Sequence, residues 1–251
     1  MICIDYDSIA EVYDLYVKAD YDVSFFVEEV RTTQGPILEL MAGTGRLSIP
    51  LVEAGASLTC VDASRKMLEV LERKLLRKGL AAEVVQMDVR ELDLPAGFSL
   101  ALVPFQAFME LVSQADQRAA LAAVFRCLAP GGRFICTLHN PPVRRALVDG
   151  VLRCVGRFAT DDGSLVVSGM ELGGRPVVTR LQFYEMYGND GRIAWKRMLA
   201  MEFSLIERDA FEGMARDARF RVAQLFGHYD RTPFDPLRSA YMIWVLTKEL
   251  S

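Results

Sequence analysis

A glycine-rich segment with carboxylates on either side is the part of the sequence whose residue types and spacing offer chemistry. The segment from Glu39 to Leu47 joins an apolar run to a helical pattern and contains Gly43 and Gly45. Glycine lets the backbone turn tightly and lets a ligand come close. The free amides at the start of a helix attract polar or negatively charged groups. The segment therefore predicts a ligand site at the first strand-to-helix turn.

Three acids favour one kind of ligand. Asp62 ends the second apolar run, 17 residues after Gly45, where a carboxylate can accept both ribose hydroxyls of a nucleoside. A glycine loop with such an acid also fits NAD binding. Glu39, however, would lie beside the ligand where a pyrophosphate disfavours negative charge, whereas a cationic amino-acid cofactor tolerates it. Asp88 adds a further acid at the end of the third run.

These residues must be positioned by the alternating elements around them. A helix capped by Ser64 and ended by Gly79 has apolar residues at helical spacing. Strands that alternate with helices predict βαβ units and a parallel sheet. The predicted strands are 37–41, 57–61, 82–87, 98–103 and 133–138, and further helices are predicted at 48–54 and 117–128.

The pattern changes between Leu152 and Phe203, where strand signals and turns occur without a clear helix. Gly173-Gly174 and Asn189-Asp190-Gly191 are typical of hairpin turns. This stretch predicts a small antiparallel sheet inserted into the α/β domain. Helical spacing returns at Phe211, and strands are predicted at 221–227 and 241–247.

Four motifs in order resemble those of class I S-adenosylmethionine-dependent methyltransferases. They are Glu-x-x-x-Gly-Thr-Gly-Arg at 39–46, Val61-Asp62-Ala63-Ser64 with Met67-Leu68, Met87-Asp88-Val89, and Leu128-Ala129-Pro130-Gly131-Gly132. The resemblance covers about residues 13–138 and, more loosely, the final strand pair. It implies a Rossmann-like doubly wound seven-stranded sheet whose last strand is antiparallel. Residues 1–140 and 204–251 would form this domain, with an N-terminal helical lid, and 141–203 an antiparallel β subdomain inserted after strand five and covering the acceptor site.

The resemblance also implies S-adenosylmethionine as the cofactor. Gly43 and Gly45 would contact its methionine part, Asp62 its ribose, and Asp88 with Val89 its adenine. Met67 would pack on the adenine face, although a plain helix-core role fits it equally well. Pro104 departs from the acidic or Asn-type residue common at that point of the family. The cofactor-binding residues predicted in this way are Tyr16, Glu39, Ala42, Gly43, Thr44, Gly45, Arg46, Asp62, Ala63, Met67, Asp88, Val89 and Pro104.

Two residues are predicted to take part in catalysis. His139 ends strand five, at the sheet edge where active sites of such folds lie, and histidine titrates near neutrality. A hydrogen-bonding loop histidine is the alternative. Tyr13 belongs to a tyrosine-rich N-terminal segment that closes over the cofactor in small-molecule members of the family. The predicted acceptor-binding residues are Phe105, Gln106, Tyr184 and His228.

Composition excludes several other classes. A net charge of −4 and a pI near 5.4 provide no basic field for nucleic acid. The first sixteen residues carry four acids and no apolar block, and no run approaches the roughly 20 apolar residues of a membrane span. Five cysteines without a CxxC pair, and only two histidines, predict neither a disulfide framework nor a metal site. We therefore expect a cytoplasmic protein.

The sequence thus predicts an enzyme that moves a methyl group to an oxygen or nitrogen of a small molecule, with a homodimer through the inserted sheet. Two alternatives stay open. One is a non-catalytic S-adenosylmethionine-binding regulatory protein. The other is a nicotinamide-dependent oxidoreductase, which would need a third glycine where Ser48 stands.

Overall fold

The computed structural model describes residues 4–173 and 175–249. Its helices are α1 (Ala10–Tyr16), α2 (Val23–Arg31), α3 (Ser48–Glu53), α4 (Arg65–Lys78), α5 (Gln114–Cys127), α6 (Pro141–Arg145) and α7 (Arg208–Asp217). Short 3-10 helices lie at Tyr6–Ser8, Val89–Glu91 and Ala107–Glu110. The strands are β1 (Ile37–Leu40), β2 (Leu58–Asp62), β3 (Glu83–Gln86), β4 (Phe98–Val103), β5 (Leu128–His139), β6 (Arg153–Thr160), β7 (Gly163–Gly173), β8 (Val177–Gly188), β9 (Ile193–Ser204), β10 (Phe220–Phe226) and β11 (Tyr241–Lys248).

Seven strands form one sheet in the order β10-β11-β5-β4-β1-β2-β3. Neighbouring strands from β1 to β5 pair in parallel, whereas β11 is antiparallel to both β5 and β10. The predicted sheet, including its antiparallel last strand, is therefore confirmed. The order reverses at β1 and β4, which opens a crevice at their carboxyl ends where ligands of doubly wound sheets bind.

A second, four-stranded antiparallel sheet has the order β6-β7-β8-β9 and lies in sequence between β5 and α7. The predicted inserted sheet is confirmed. The turn at Gly191 joins β8 to β9 and has a φ of +77°, a left-handed conformation that suits glycine. The predicted turn at Gly173-Gly174 includes Gly174, which lies outside the described residues.

The core occupies both faces of the seven-stranded sheet because side chains alternate along each strand. Leu38 and Leu40 pack with α5 and α7 residues, whereas Ile37 packs with residues of α2, α3 and α4 on the other face. Glu39 follows the same alternation and points to the α2–α4 face. Both faces are covered, so β1 is buried at all four positions.

Capping residues explain most helix boundaries. The Ser64 hydroxyl accepts a hydrogen bond from the Met67 amide at 3.2 Å, and Gly79 ends α4 in a left-handed conformation, as predicted. Helix α5 begins before the predicted residue 117 because Ser113 accepts from the Asp116 amide at 3.1 Å. Helices α2 and α6 were not predicted. Asp22 precedes α2, but its carboxylate binds Arg46 and makes no capping hydrogen bond.

The described cysteines are all free: Cys60, Cys127 and Cys136 are buried, and Cys154 is exposed. Cys3 lies outside the described residues. Across 4–173 and 175–249, no cluster of side chains suits a metal ion. The same ranges contain no helix long and apolar enough to cross a membrane.

Candidate functional site

A cavity of about 1150 Å³ opens at the carboxyl ends of β1, β2, β3 and β4. The 3-10 helix at Tyr6–Ser8 and helix α1 cover one side, and residues of β7 and β8 form another wall. Fourteen of the residues predicted from the sequence line it together: Tyr13, Tyr16, Glu39, Ala42, Gly43, Thr44, Arg46, Asp62, Ala63, Met67, Asp88, Val89, Pro104 and Phe105.

The floor of the cavity is the glycine loop after β1. Gly43 has a φ of +56°, and a Cβ placed on it would meet no atom within 4 Å, so open space lies above its backbone. Gly45 is different, since a Cβ there would lie 2.3 Å from Cδ1 of Leu71 in α4. Gly43 therefore leaves room for a ligand, whereas Gly45 lets the loop pack against a helix.

Asp62 lies at the end of β2 and holds the loop in place. Its Oδ2 accepts from the Gly43 amide and its Oδ1 from the Ser64 amide, both at 2.8 Å. Burial raises the pKa of this carboxyl, and the backbone amides partly oppose that effect. An ionised carboxylate has about four lone-pair sites. Acceptor capacity is therefore left for two hydroxyls of a ligand.

Glu39 is a buried acid beneath the loop, with 1% of its surface exposed. Its Oε2 has no hydrogen-bond partner among the described residues. Burial raises its pKa to about 7, against the opposing effects of Ser48 and Arg46. A buried carboxylate oxygen without a donor is costly. Because Glu39 also lines the cavity, its carboxyl favours a cationic or hydrogen-bond-donating ligand there.

Asp88 follows β3 and is engaged by its own neighbourhood. Its carboxylate accepts from the amide, Nε and Nη2 of Arg90, at distances from 2.5 to 2.9 Å. These bonds with Arg90 hold its pKa below the usual value. Most of its acceptor capacity toward an adenine amino group is thus occupied, which weakens the predicted role of Asp88 and leaves the neighbouring Val89 in the cavity wall.

Met67 lies at the start of α4 with 3% of its surface exposed. It lines the cavity and also packs with Ala10, Tyr6 and Tyr13 of the N-terminal segment. Contact with the adenine face and a plain helix-core role, the two interpretations made from the sequence, are therefore both compatible with the surroundings of Met67.

The N-terminal segment is attached to the cavity rim by specific polar contacts. Asp14 accepts from Thr44 Oγ1 at 2.6 Å and from Lys74 Nζ at 2.8 Å. Ser64 Oγ donates to Asp7 at 2.5 Å. Helix α1 thereby covers the glycine loop.

Arg46 fixes the far side of the loop. Its guanidinium donates to both Asp22 oxygens, at 2.6 and 2.7 Å, and to the carbonyl of Ala19 at 2.9 Å. It also lies 4.4 Å above the ring centroid of Phe105. The loop after β4 is thus held against the glycine loop by a cation–π contact.

Sequence reasoning missed a pair of residues in the cavity wall. The Tyr6 hydroxyl donates to Oε1 of Glu110 at 2.7 Å, and both residues line the cavity. Burial raises the pKa of Glu110 to about 7, an effect that the Tyr6 hydrogen bond partly opposes. The segment after β4 does carry an acid in the sequence, but no spacing rule links position 110 to position 6.

Five of the predicted site residues do not line the cavity. Gln106 is buried and donates to the Tyr229 hydroxyl at 3.1 Å. Tyr184 is fully buried, and its hydroxyl forms a 2.8 Å hydrogen bond with that of Tyr16, so it packs the lid onto the inserted sheet. His228 is exposed on the loop after β10. The five predicted site residues that do not line the cavity are Gly45, Gln106, His139, Tyr184 and His228.

His139 stacks on Tyr241 with ring centroids 5.6 Å apart. Burial, with Arg144 and Arg180 nearby, lowers its pKa to about 3. An imidazole with so low a pKa binds a proton weakly near neutral pH. This location disfavours His139 as the proton acceptor.

Sequence comparisons match part of the chain to known methyltransferases. Residues 37–132 match the family described as methyltransferase domain. The cypemycin N-terminal methyltransferase of a Streptomyces species is 35% identical over 141 residues, which are 54% of this chain and 57% of that protein. The chain spans about half the length of the curated relatives it matches.

Solved structures share the fold over almost the whole chain. An S-adenosylmethionine-dependent methyltransferase from Clostridium acetobutylicum has a TM-score of 0.80 at 18% identity and covers 97% of this chain and 99% of its own. The sugar N-methyltransferase KedS8 from a Streptoalloteichus species has a TM-score of 0.76 at 20% identity, with 97% and 92% covered.

Proposed function

We propose that the protein transfers a methyl group from S-adenosylmethionine to an oxygen or nitrogen of a small molecule. The premise is that residues 37–132 form a methyltransferase domain within the class I Rossmann-like fold. The observation that carries this proposal is the lining of one cavity by the buried acid Glu39, by Gly43 with open space above it and by Asp62 with acceptor capacity to spare. A cofactor with a cationic amino-acid part and a ribose fits these residues.

The residues present would divide the cofactor among them. The open space above Gly43 leaves room for the methionine part, and the Glu39 carboxyl supplies negative charge in the same cavity wall. The lone pairs left on Asp62 suit the ribose hydroxyls. Val89 and Met67 supply apolar wall for the base, while Pro104 and Tyr16 line the remaining surface.

When bound, S-adenosylmethionine supplies a methyl group on a sulfonium, whose C–S bond breaks as a bond to the acceptor forms. The rings of Tyr13 and Tyr16 lie edge-on to each other, with centroids 5.5 Å apart, and both line the cavity. Aromatic rings next to a cation are stabilising. A lid that excluded water and held the acceptor in line would contribute much of the rate of a direct displacement.

Glu110 is the group best suited to take the acceptor's proton. Its Oε1 accepts from Tyr6, and its Oε2 makes no hydrogen bond to the described residues. A carboxyl with a pKa near 7 combines a sizeable ionised fraction with real basicity at neutral pH. An acceptor N–H or O–H at Oε2 would lose its proton there as the new bond forms.

Binding of S-adenosylhomocysteine, the product of the cofactor, tests the cofactor site. We expect thermal stabilisation of the protein by S-adenosylhomocysteine, of about 2.7 kcal/mol at 100 times its Kd, and none by NAD. The reverse result contradicts the proposal and supports an oxidoreductase. Release of S-adenosylhomocysteine is then measured over a panel of small amines and alcohols. Tight cofactor binding without turnover of any of them supports a regulatory protein.

We also infer a reducing, cytoplasmic setting and a homodimer. The free cysteines among the described residues support the former. The exposed apolar side chains of Leu172, Ile193 and Met198 on the inserted sheet support the latter. Light scattering should give a mass of twice 28.1 kDa, and Met198→Glu should reduce it to that of one chain; a monomeric parent protein contradicts the dimer.

A further inference from the structure

Three charged side chains meet in the cavity wall beyond the glycine loop. Glu171 of β7 and Arg180 of β8 face each other in the antiparallel register, and Arg144 comes from α6. Arg144 Nη2 donates to both Glu171 oxygens at 2.5 Å. Arg180 donates to Oε1 through Nε and Nη2, at 2.8 and 2.6 Å. All three residues line the cavity, and we name them the arginine cluster.

The arginine cluster has an excess positive charge in a partly buried place. Two guanidiniums share one carboxylate, and guanidinium stays protonated in proteins. The Arg144 side chain is only 9% exposed and that of Glu171 16%, whereas the Arg180 side chain is 41% exposed. The nearby Arg153 also lines the cavity but is paired with Asp149 at 2.5 Å. A buried charge without a counter-charge is unfavourable, so an anion entering the cavity would be stabilised there.

The guanidiniums are also held in place and have donors to spare. Both lie over the ring of Phe203, at 5.3 and 5.5 Å from its centroid. Within 4–173 and 175–249, Nη1 of Arg144 and Nη1 of Arg180 donate to no protein group. Fixed guanidinium donors match the paired oxygens of a carboxylate or a phosphate.

The arginine cluster shares the cavity with the proposed proton acceptor. The charge of Arg180 is close enough to Glu110 to oppose the rise of its pKa. The uncharged residues Gly169, Met170 and Gln182 lie on the same two strands, β7 and β8, and also line the cavity. An acceptor anchored on the arginine cluster could therefore extend its nitrogen or oxygen toward Glu110.

We propose that the methyl acceptor carries a carboxylate or phosphate group, which binds to Arg144 and Arg180. This proposal rests on the proposed function for the identity of the bound molecule as an acceptor. Binding of the anion itself can be measured without the cofactor.

The test is a titration of the protein with inorganic pyrophosphate and, separately, with glutarate, at constant ionic strength because surface charges are screened by salt. The measurement is the apparent Kd from thermal stabilisation. We expect Arg180→Gln to raise this Kd at least tenfold, since it removes one donor fork. We expect Glu171→Gln to lower it, since it removes the competing carboxylate. Arg157→Gln is the matched control, because Arg157 lies on the neighbouring strand and bonds Ser164 at 3.0 Å, outside the cavity wall.

If the arginine cluster had only a structural role, Arg180→Gln and Glu171→Gln would change the apparent Kd for the anions in the same direction. That result, or no stabilisation of the parent protein by any of the anions, overturns the proposal. Preference for pyrophosphate identifies a phosphate-bearing acceptor, and preference for glutarate a carboxylate-bearing one. Anion binding with no binding of S-adenosylhomocysteine contradicts the proposed function and leaves this site intact.

Discussion

The Tyr6 hydroxyl and the Glu110 carboxylate are joined by a 2.7 Å hydrogen bond across 104 residues of sequence. The bond connects the 3-10 helix Tyr6–Ser8 to the 3-10 helix Ala107–Glu110 that follows β4, inside the cavity wall. The Tyr6 hydroxyl lowers the pKa of Glu110, so the N-terminal segment would also influence the proposed proton acceptor.

The first prediction concerns the pH dependence of turnover. Glu110 is surrounded by Tyr6, Tyr13, Asp62 and Arg180, and its pKa is about 7. Because the ionised form accepts the proton, kcat should rise with pH and level off above about 7. Glu110→Gln should lower kcat by a factor of about 10²–10⁴. Tyr6→Phe removes a bond that lowers the Glu110 pKa and should shift the profile to higher pH. A profile that Tyr6→Phe leaves in place would contradict the assignment.

The second prediction concerns the ribose site. Asp62→Ala removes the acceptor for two backbone amides and for the proposed hydroxyls. We expect the Kd for S-adenosylhomocysteine to rise more than tenfold, about 1.4 kcal/mol or more, as measured by calorimetry. Glu53→Gln, at an exposed ion pair with Lys78, serves as the control. An unchanged affinity would remove Asp62 from the site.

The third prediction separates the two glycines of the loop. Gly45→Ala places a methyl group 2.3 Å from Leu71 at a φ of +80°, so it should lower the free energy of unfolding by about 1–3 kcal/mol. Gly43→Ala meets open space and should reduce cofactor affinity with a smaller loss of stability. Denaturant unfolding and calorimetry on the two variants measure both effects. Equal loss of stability in both would argue against this division of roles.

The fourth prediction concerns stability and pH. The Glu39 pKa is raised from 4.5 to about 7 in the folded protein, so the folded state holds a proton that the unfolded state releases. The contribution of the bound Glu39 proton to the free energy of unfolding is fully present below pH 4.5 and is lost as the pH rises through 7. Over this range the parent protein should lose about 2–3 kcal/mol more stability than Glu39→Gln. Denaturant unfolding at several pH values measures the difference, and parallel curves for the two proteins would show that Glu39 does not titrate in this way.

The sequence by itself determined the seven-stranded sheet, the inserted sheet and most of the cavity floor. Gly43, Asp62 and their neighbours are close in space because the ends of adjacent parallel strands meet at one edge of a sheet. Local signals such as the Ser64 cap and Gly79 fixed the elements between them. Contacts of this kind depend on spacing along the chain, and a sequence pattern records spacing.

Only the tertiary structure decided which distant side chains face the cavity. His139 ends the predicted strand, yet packs on Tyr241 outside the wall, and Tyr184 is turned into the lid interface. Glu110 and Arg144 belong to segments without a motif, and packing of the N-terminal segment and the inserted sheet brings them into the wall. Side-chain direction at the end of a strand and the docking of a separate sheet depend on packing between remote segments, which no local pattern encodes.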